Sequence, residues 1–148
     1  MKDHLHDAVE EIKRVDHLIY VSLKYTRTVD VLINVIDRMI TTSDCLINAL
    51  GEHAKQEKKI KSLPPIPMMK CRELKKSYFD DDEIMKFLEF YTLLRALKKA
   101  DYNSINEYRR HVTLIAMLDE GEYHIHIDKV TEFYKDLRKY LDYIKHLS

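Results

Sequence analysis

Glycine and proline are nearly missing from this chain. It has two glycines, Gly51 and Gly121, and three prolines, Pro64, Pro65 and Pro67, in 148 residues. These residues make tight turns and break helices. A chain this poor in them favours long helices over an all-β sandwich. With two isolated glycines, no glycine-rich phosphate loop can form. The two cysteines, Cys45 and Cys71, lack metal-ligand spacing, and no CxxC, HExxH or nucleophile-elbow motif occurs. The start Met1-Lys2-Asp3-His4 is polar and charged, unlike a signal peptide. No uncharged apolar run approaches the length of a membrane span. These absences predict a cytoplasmic chain with no membrane contact, and two free thiols fit a reducing compartment. An excess of one charge is also lacking, with 25 basic against 25 acidic residues. A dominant pull toward nucleic acid or anionic lipid is therefore not indicated, although a local patch stays open. No motif specifies a reaction, a substrate or a cofactor.

What is present is helical periodicity. The length fits one domain, 1–148. Leu5, Val9, Ile12 and Ile19 recur at helical spacing. From Leu18 the pattern tightens into a stripe of Leu18, Val21, Tyr25, Val29, Leu32, Ile36, Met39 and Leu46, close to an a/d heptad. Residues 1–58 thus read as a long N-terminal helical segment, either one helix or two broken near Ser22–Thr28, where Thr26 and Thr28 are mediocre helix formers able to supply a cap. A continuous helix of about 40 residues would be about 60 Å long, roughly twice the width of a domain this size. It would overhang its own domain and need cover for its stripe. That geometry predicts a homodimer, or another protein partner, with the eight stripe residues as the interface.

Residues 59–68, with Leu63-Pro-Pro-Ile-Pro67, read as an extended connector to a second half, 69–148. Met69–Lys76 suggests a short helix. Asp80 and Glu83 stand at capping-box spacing before a helix running to about Ala100, whose apolar positions cover much of its circumference. It is expected to be the most buried helix. Asp101–Arg110 reads as one more helix or a polar turn. The period then changes to two: Val112, Leu114, Ala116 and Leu118, a turn at Asp119–Glu122, then Tyr123, Ile125 and Ile127. This predicts a β-hairpin over 112–127, with Leu118 opposite Tyr123, Ala116 opposite Ile125 and Leu114 opposite Ile127. Asp128 is a good N-cap for a final amphipathic helix. The expected fold is a mainly α helical bundle with a small hairpin before the C-terminal helix.

Several clusters bear on chemistry. His124, His126 and Asp128 alternate on one strand face, with His111 and Thr113 on the same side of the partner strand. Such a set suits a transition metal, against the plainer reading of a wet polar face with Asp128 used as a cap. Asp3, His4, His6 and Asp7 form a second cluster, or simply the acidic first turn of a helix. Arg109-Arg110-His111 suits phosphate contact, and an Arg–His pair suits acid–base cleavage of RNA. Salt bridging to neighbouring acids at a helix-to-strand junction is the plainer and favoured account. Lys24, Tyr25, Arg27, Arg38 and Arg95 sit among apolar stretches. They read as an anion site, or as long stems whose heads reach acids such as Asp30 or Asp37.

Leu23-Lys-Tyr-Thr-Arg-Thr-Val-Asp-Val-Leu32, Arg109-Arg-His-Val-Thr113 and Glu132-Phe-Tyr-Lys-Asp136 together resemble a family of small uncharacterised archaeal helical proteins, over most of the chain. More distantly, the helix arrangement resembles HEPN domains. That resemblance implies a helical bundle, often dimeric, which binds or cleaves RNA or partners a nucleotidyltransferase. The HEPN signature is an Arg followed after four to six residues by a His. Here Arg109 and Arg110 directly precede His111, and Arg138 to His146 is too long. The favoured reading is a structural or interaction module that dimerises through its N-terminal segment. The alternatives are an RNA-binding protein or ribonuclease using Arg109, Arg110 and His111, and a metal-binding protein using the hairpin histidines.

Overall fold

The first helix stops before its stripe is complete. In the computed structural model, which describes residues 1–147, α1 (Lys2–His17) loosens into a π-helical turn at Leu18–Ser22 and ends with one more turn at Leu23–Tyr25. Thr26 and Thr28 are extended, and the Thr28 hydroxyl accepts the Val31 N–H at 3.3 Å, capping α2 (Val29–Gln56). The N-terminal segment is therefore two helices. The chain doubles back: His4 meets Glu52 and Glu11 meets Arg38, so α1 lies antiparallel along α2. Leu5, Ala8, Ile12 and Val15 bury the inner face of α1, one residue per turn.

Folding back removes the overhang on which the dimer expectation stood. Of the eight stripe residues, Val29, Leu32, Ile36, Met39 and Leu46 lie in the chain's own core. Leu18 is half-buried, and only Val21 and Tyr25 are exposed. The stripe is covered from within, so as a set it is no free surface.

The most buried helix is α2, not the later helix singled out by its apolar circumference. Fourteen of its 28 residues are buried. In α4 (Asp82–Lys99) seven of 18 are. The reason is position: α2 is packed by α1, by α3 (Pro67–Ser77), by α4, by α5 (Ile127–Lys145) and by the sheet. Gly51 lets the connector approach, since a Cβ there would lie 2.6 Å from the Leu63 side chain. Pro67 occupies the first turn of α3, where a missing N–H costs nothing. The cap of α4 is Asp81 rather than Asp80. Its carboxylate accepts the Ile84 N–H at 3.1 Å and the Tyr143 hydroxyl at 2.8 Å. α4 and α5 join through an aromatic cluster, Phe90 against Phe133 and Tyr140, with Phe87 against Tyr140. Each fully buried ring or branched side chain contributes about 1.5–3 kcal/mol.

Between α4 and α5 lies a three-stranded antiparallel sheet of order β1-β2-β3, not a lone hairpin. β1 (Tyr102–Ile105) falls where a helix or polar turn was expected. All four of its residues are exposed, so no alternation marks it. It is an edge strand held through its backbone to β2 (Thr113–Leu118), which pairs on its other side with β3 (Gly121–Ile125). The register is Leu118 with Gly121, Ala116 with Tyr123 and Leu114 with Ile125. This is two residues from the expected register. A shift of two preserves the side-chain face, so Val112, Leu114, Ala116 and Ile125 still point into the core. The tighter turn, Asp119-Glu120, is closed by Gly121 at φ +128°.

Candidate functional site

The break between α1 and α2, the loop before β2 and the start of α5 meet at one cleft of about 300 Å³. It is lined by Arg27, Arg110, His111, His126, Ile127 and Asp128. The first two of these stretches, remote in sequence, are tied together there by one backbone bond and one side-chain cap. The Tyr108 N–H donates to the Arg27 carbonyl at 2.6 Å. The Glu107 carboxylate accepts the Val29 N–H at 3.2 and 3.3 Å, adding a second cap to α2 beside Thr28. A carboxylate at a helix N-terminus is favoured by the helix dipole. Asn106 and Tyr108 hold positive φ of 58° and 65°. This conformation is ordinary for Asn but rare for a bulky residue such as Tyr. It turns the loop so that Arg110 and His111 face Arg27.

The α5 end of the cleft is a helix N-terminus. His126 caps it, its Nδ1 accepting the Lys129 N–H at 3.2 Å. Asp128, expected as the cap, sits instead in the first turn. Ile125 still belongs to β3, so the helix starts as soon as the strand ends. The first N–H groups of an α-helix have no partner within the helix and attract anions. Two arginines against one carboxylate leave the lining with a net charge of +1, the histidines counted as neutral.

Arg27 differs from the other buried-stem arginines. Arg38 pairs with Glu11 at 3.5 Å. Arg95 donates its Nε to the Tyr91 hydroxyl at 2.7 Å and an Nη to Asp44 at 3.3 Å. Burial, with Asp44 on its hydroxyl, holds the Tyr91 phenol neutral, well above its usual range. Arg27 Nε, in contrast, is buried with no hydrogen-bond partner. A buried donor left unsatisfied costs about 1–3 kcal/mol. Two of the most exposed aromatic side chains, Tyr25 (78%) and Tyr108 (79%), belong to the same two cleft-forming segments, each two residues before a cleft arginine.

The other candidates separate from this cleft. Arg109 builds the turn: its N–H donates to the Asn106 carbonyl and its carbonyl accepts the Val112 N–H, both at 3.0 Å. His124 does not line the cleft: it lies 3.1 Å from Glu122 and is paired across the ladder with Ile115. His4 belongs with Glu52. Among the described residues no group of three or more His, Cys, Asp or Glu side chains could hold a metal ion. His111, His124, His126 and Asp128 therefore do not form a ligand set. Sequence reading missed the pairing of Arg27 with Arg110 and the capping by Glu107. No local spacing signals either, because the partners are about 80 residues apart.

No protein-family model matches the chain, and no curated protein or solved structure shows significant similarity to it.

Proposed function

We propose that the protein binds single-stranded RNA through its phosphate backbone, with Arg27 and Arg110 as the cationic clamp. The observation that carries this reading is the cleft that brings Arg27, Arg110, His111 and His126 together with the N-terminus of α5. A phosphate seated in the cleft would lie between the two arginines and against the start of α5, where the helix dipole favours an anion. Tyr25 and Tyr108 offer exposed rings beside the cations, the combination by which proteins hold unpaired bases without reading their sequence. Arg27 takes the role that the HEPN-like reading gave to Arg109. The activity assigned is binding rather than cleavage.

Fluorescence anisotropy with a labelled single-stranded RNA, and its DNA counterpart, tests the proposal. Arg27→Ala and Arg110→Ala are each expected to weaken binding about tenfold, the size of one charge-assisted hydrogen bond. Each should also flatten the log–log salt dependence by about 0.7. Affinity that ignores both substitutions, or no affinity for RNA at low salt, overturns the reading.

A further inference from the structure

A second hollow lies at the far end of the sheet, between the outer face of α4 and the β2–β3 turn. It measures about 450 Å³. Its floor is apolar, from Leu93, Leu118 and Tyr123, and its rim carries Glu89, Glu120 and Glu122 with no Lys or Arg in the lining. Leu93 belongs to the apolar circumference of α4 that the chain only partly covers. The chain also displays the complement of this groove. Ile66, just before α3, is 55% exposed, and Met68 and Met69 in its first turn are 37% and 42% exposed. Arg72 and Lys76 follow on exposed positions of the same helix, Lys76 in an exposed ion pair with Glu73 at 3.5 Å that a groove carboxylate would have to share. Methionine is the most adaptable of apolar side chains for filling an irregular hollow. One surface is therefore apolar with a basic border, and the other is apolar with an acidic border.

We infer that the groove receives the N-terminal turn of α3 from a second copy of this chain, Met68 and Met69 entering the apolar floor while Arg72 and Lys76 meet Glu89 and Glu120. The two patches are different, so one such contact is head-to-tail. Two of them formed across a two-fold axis close the pair into a dimer. This association is independent of the RNA reading and uses none of the cleft residues.

Charge reversal tests it, read as solution mass by light scattering across the micromolar range. The wild-type chain is expected to move from 17.7 kDa toward twice that mass as concentration rises. A groove-reversed variant, Glu89→Lys with Glu120→Lys, and a helix-reversed variant, Arg72→Glu with Lys76→Glu, should each remain monomeric. All four positions are exposed, so the core is untouched, and circular dichroism checks that both variants fold. Mixed together the two variants should associate again, because each then offers what the other's reversed surface requires. A wild-type mass that stays at 17.7 kDa throughout overturns the inference and leaves the groove to a basic segment of another protein. Variants that associate as the wild type does, or a mixture that stays monomeric, overturn it too.

Discussion

The two ends of the β2–β3 pair carry opposite charge. At one end, where β2 begins and β3 runs into α5, stand Arg110, His111 and His126, with Arg27 brought across from the α1–α2 break. At the other, about 20 Å along a six-residue strand, the Asp119-Glu120 turn and α4 present Glu89, Glu120 and Glu122. The chain as a whole is neutral, 25 against 25. Neutrality in the sum thus conceals segregation on the surface, and binding responds to the local field rather than to the total. The ends also differ in construction. The basic end is assembled from three distant segments and held by capping bonds. The acidic end is mostly a local turn against one helix.

Losing both arginines breaks the comparison most directly. Arg27→Ala combined with Arg110→Ala is expected to lower RNA affinity about 100-fold, on two charge-assisted contacts, while the concentration dependence of the solution mass stays as in the wild type. The reciprocal variant, Glu89→Lys with Glu120→Lys, should lose self-association and keep its RNA affinity. Joint loss of both activities in either variant means that the two ends are coupled, and the picture of independent surfaces fails.

Smaller effects sharpen the contrast in construction. Glu107→Ala removes a cap from α2 and the anchor that sets the loop against Arg27. It is expected to cost about 1 kcal/mol in urea denaturation, the typical value of a helix cap, and to weaken RNA binding with it. Gly121→Ala acts at the opposite end. Nothing lies within 4 Å of the added Cβ, so its cost is the φ of +128° alone. About 1 kcal/mol of destabilisation is expected, with self-association weakened and RNA affinity unchanged. Equal loss of RNA binding from both variants would show that the ends do not respond separately.

Cys45 gives the smallest effect and a control that lines neither surface. Burial, reinforced by the neighbouring Asp7, Glu11 and Asp44, pushes its thiol up to about 11. A raised thiol value means less thiolate at a given pH, so at pH 8 labelling by a disulfide reagent is expected to be far slower than for an ordinary cysteine. Reaction accelerates as pH climbs toward 11. RNA or charge reversal at either end should leave that rate alone. Rapid labelling at pH 8 contradicts the packing of α1 over α2 at this point.

The sequence by itself determined which faces of the elements are buried. The periods of 3.6 and 2 are local, so α3, α4, α5 and the β2–β3 alternation are legible from residue spacing, and the inward face of the hairpin survives a register shift of two. Candidate residues Arg27, Arg110, His111, His126 and Asp128 are likewise visible as charged or imidazole groups beside apolar runs. Tertiary structure alone decided the rest. A helix that runs on or turns back at Thr26–Thr28 has nearly the same local propensity. The turn is fixed by Glu107 on the Val29 N–H and by Tyr108 on the Arg27 carbonyl, two contacts about 80 residues distant. β1 carries no alternation because every side chain on it is exposed, and only its pairing to β2 makes it a strand. Arg27 and Arg110 become one site for the same reason. Periodicity records which side of an element faces inward, whereas contacts between remote segments decide what that side meets.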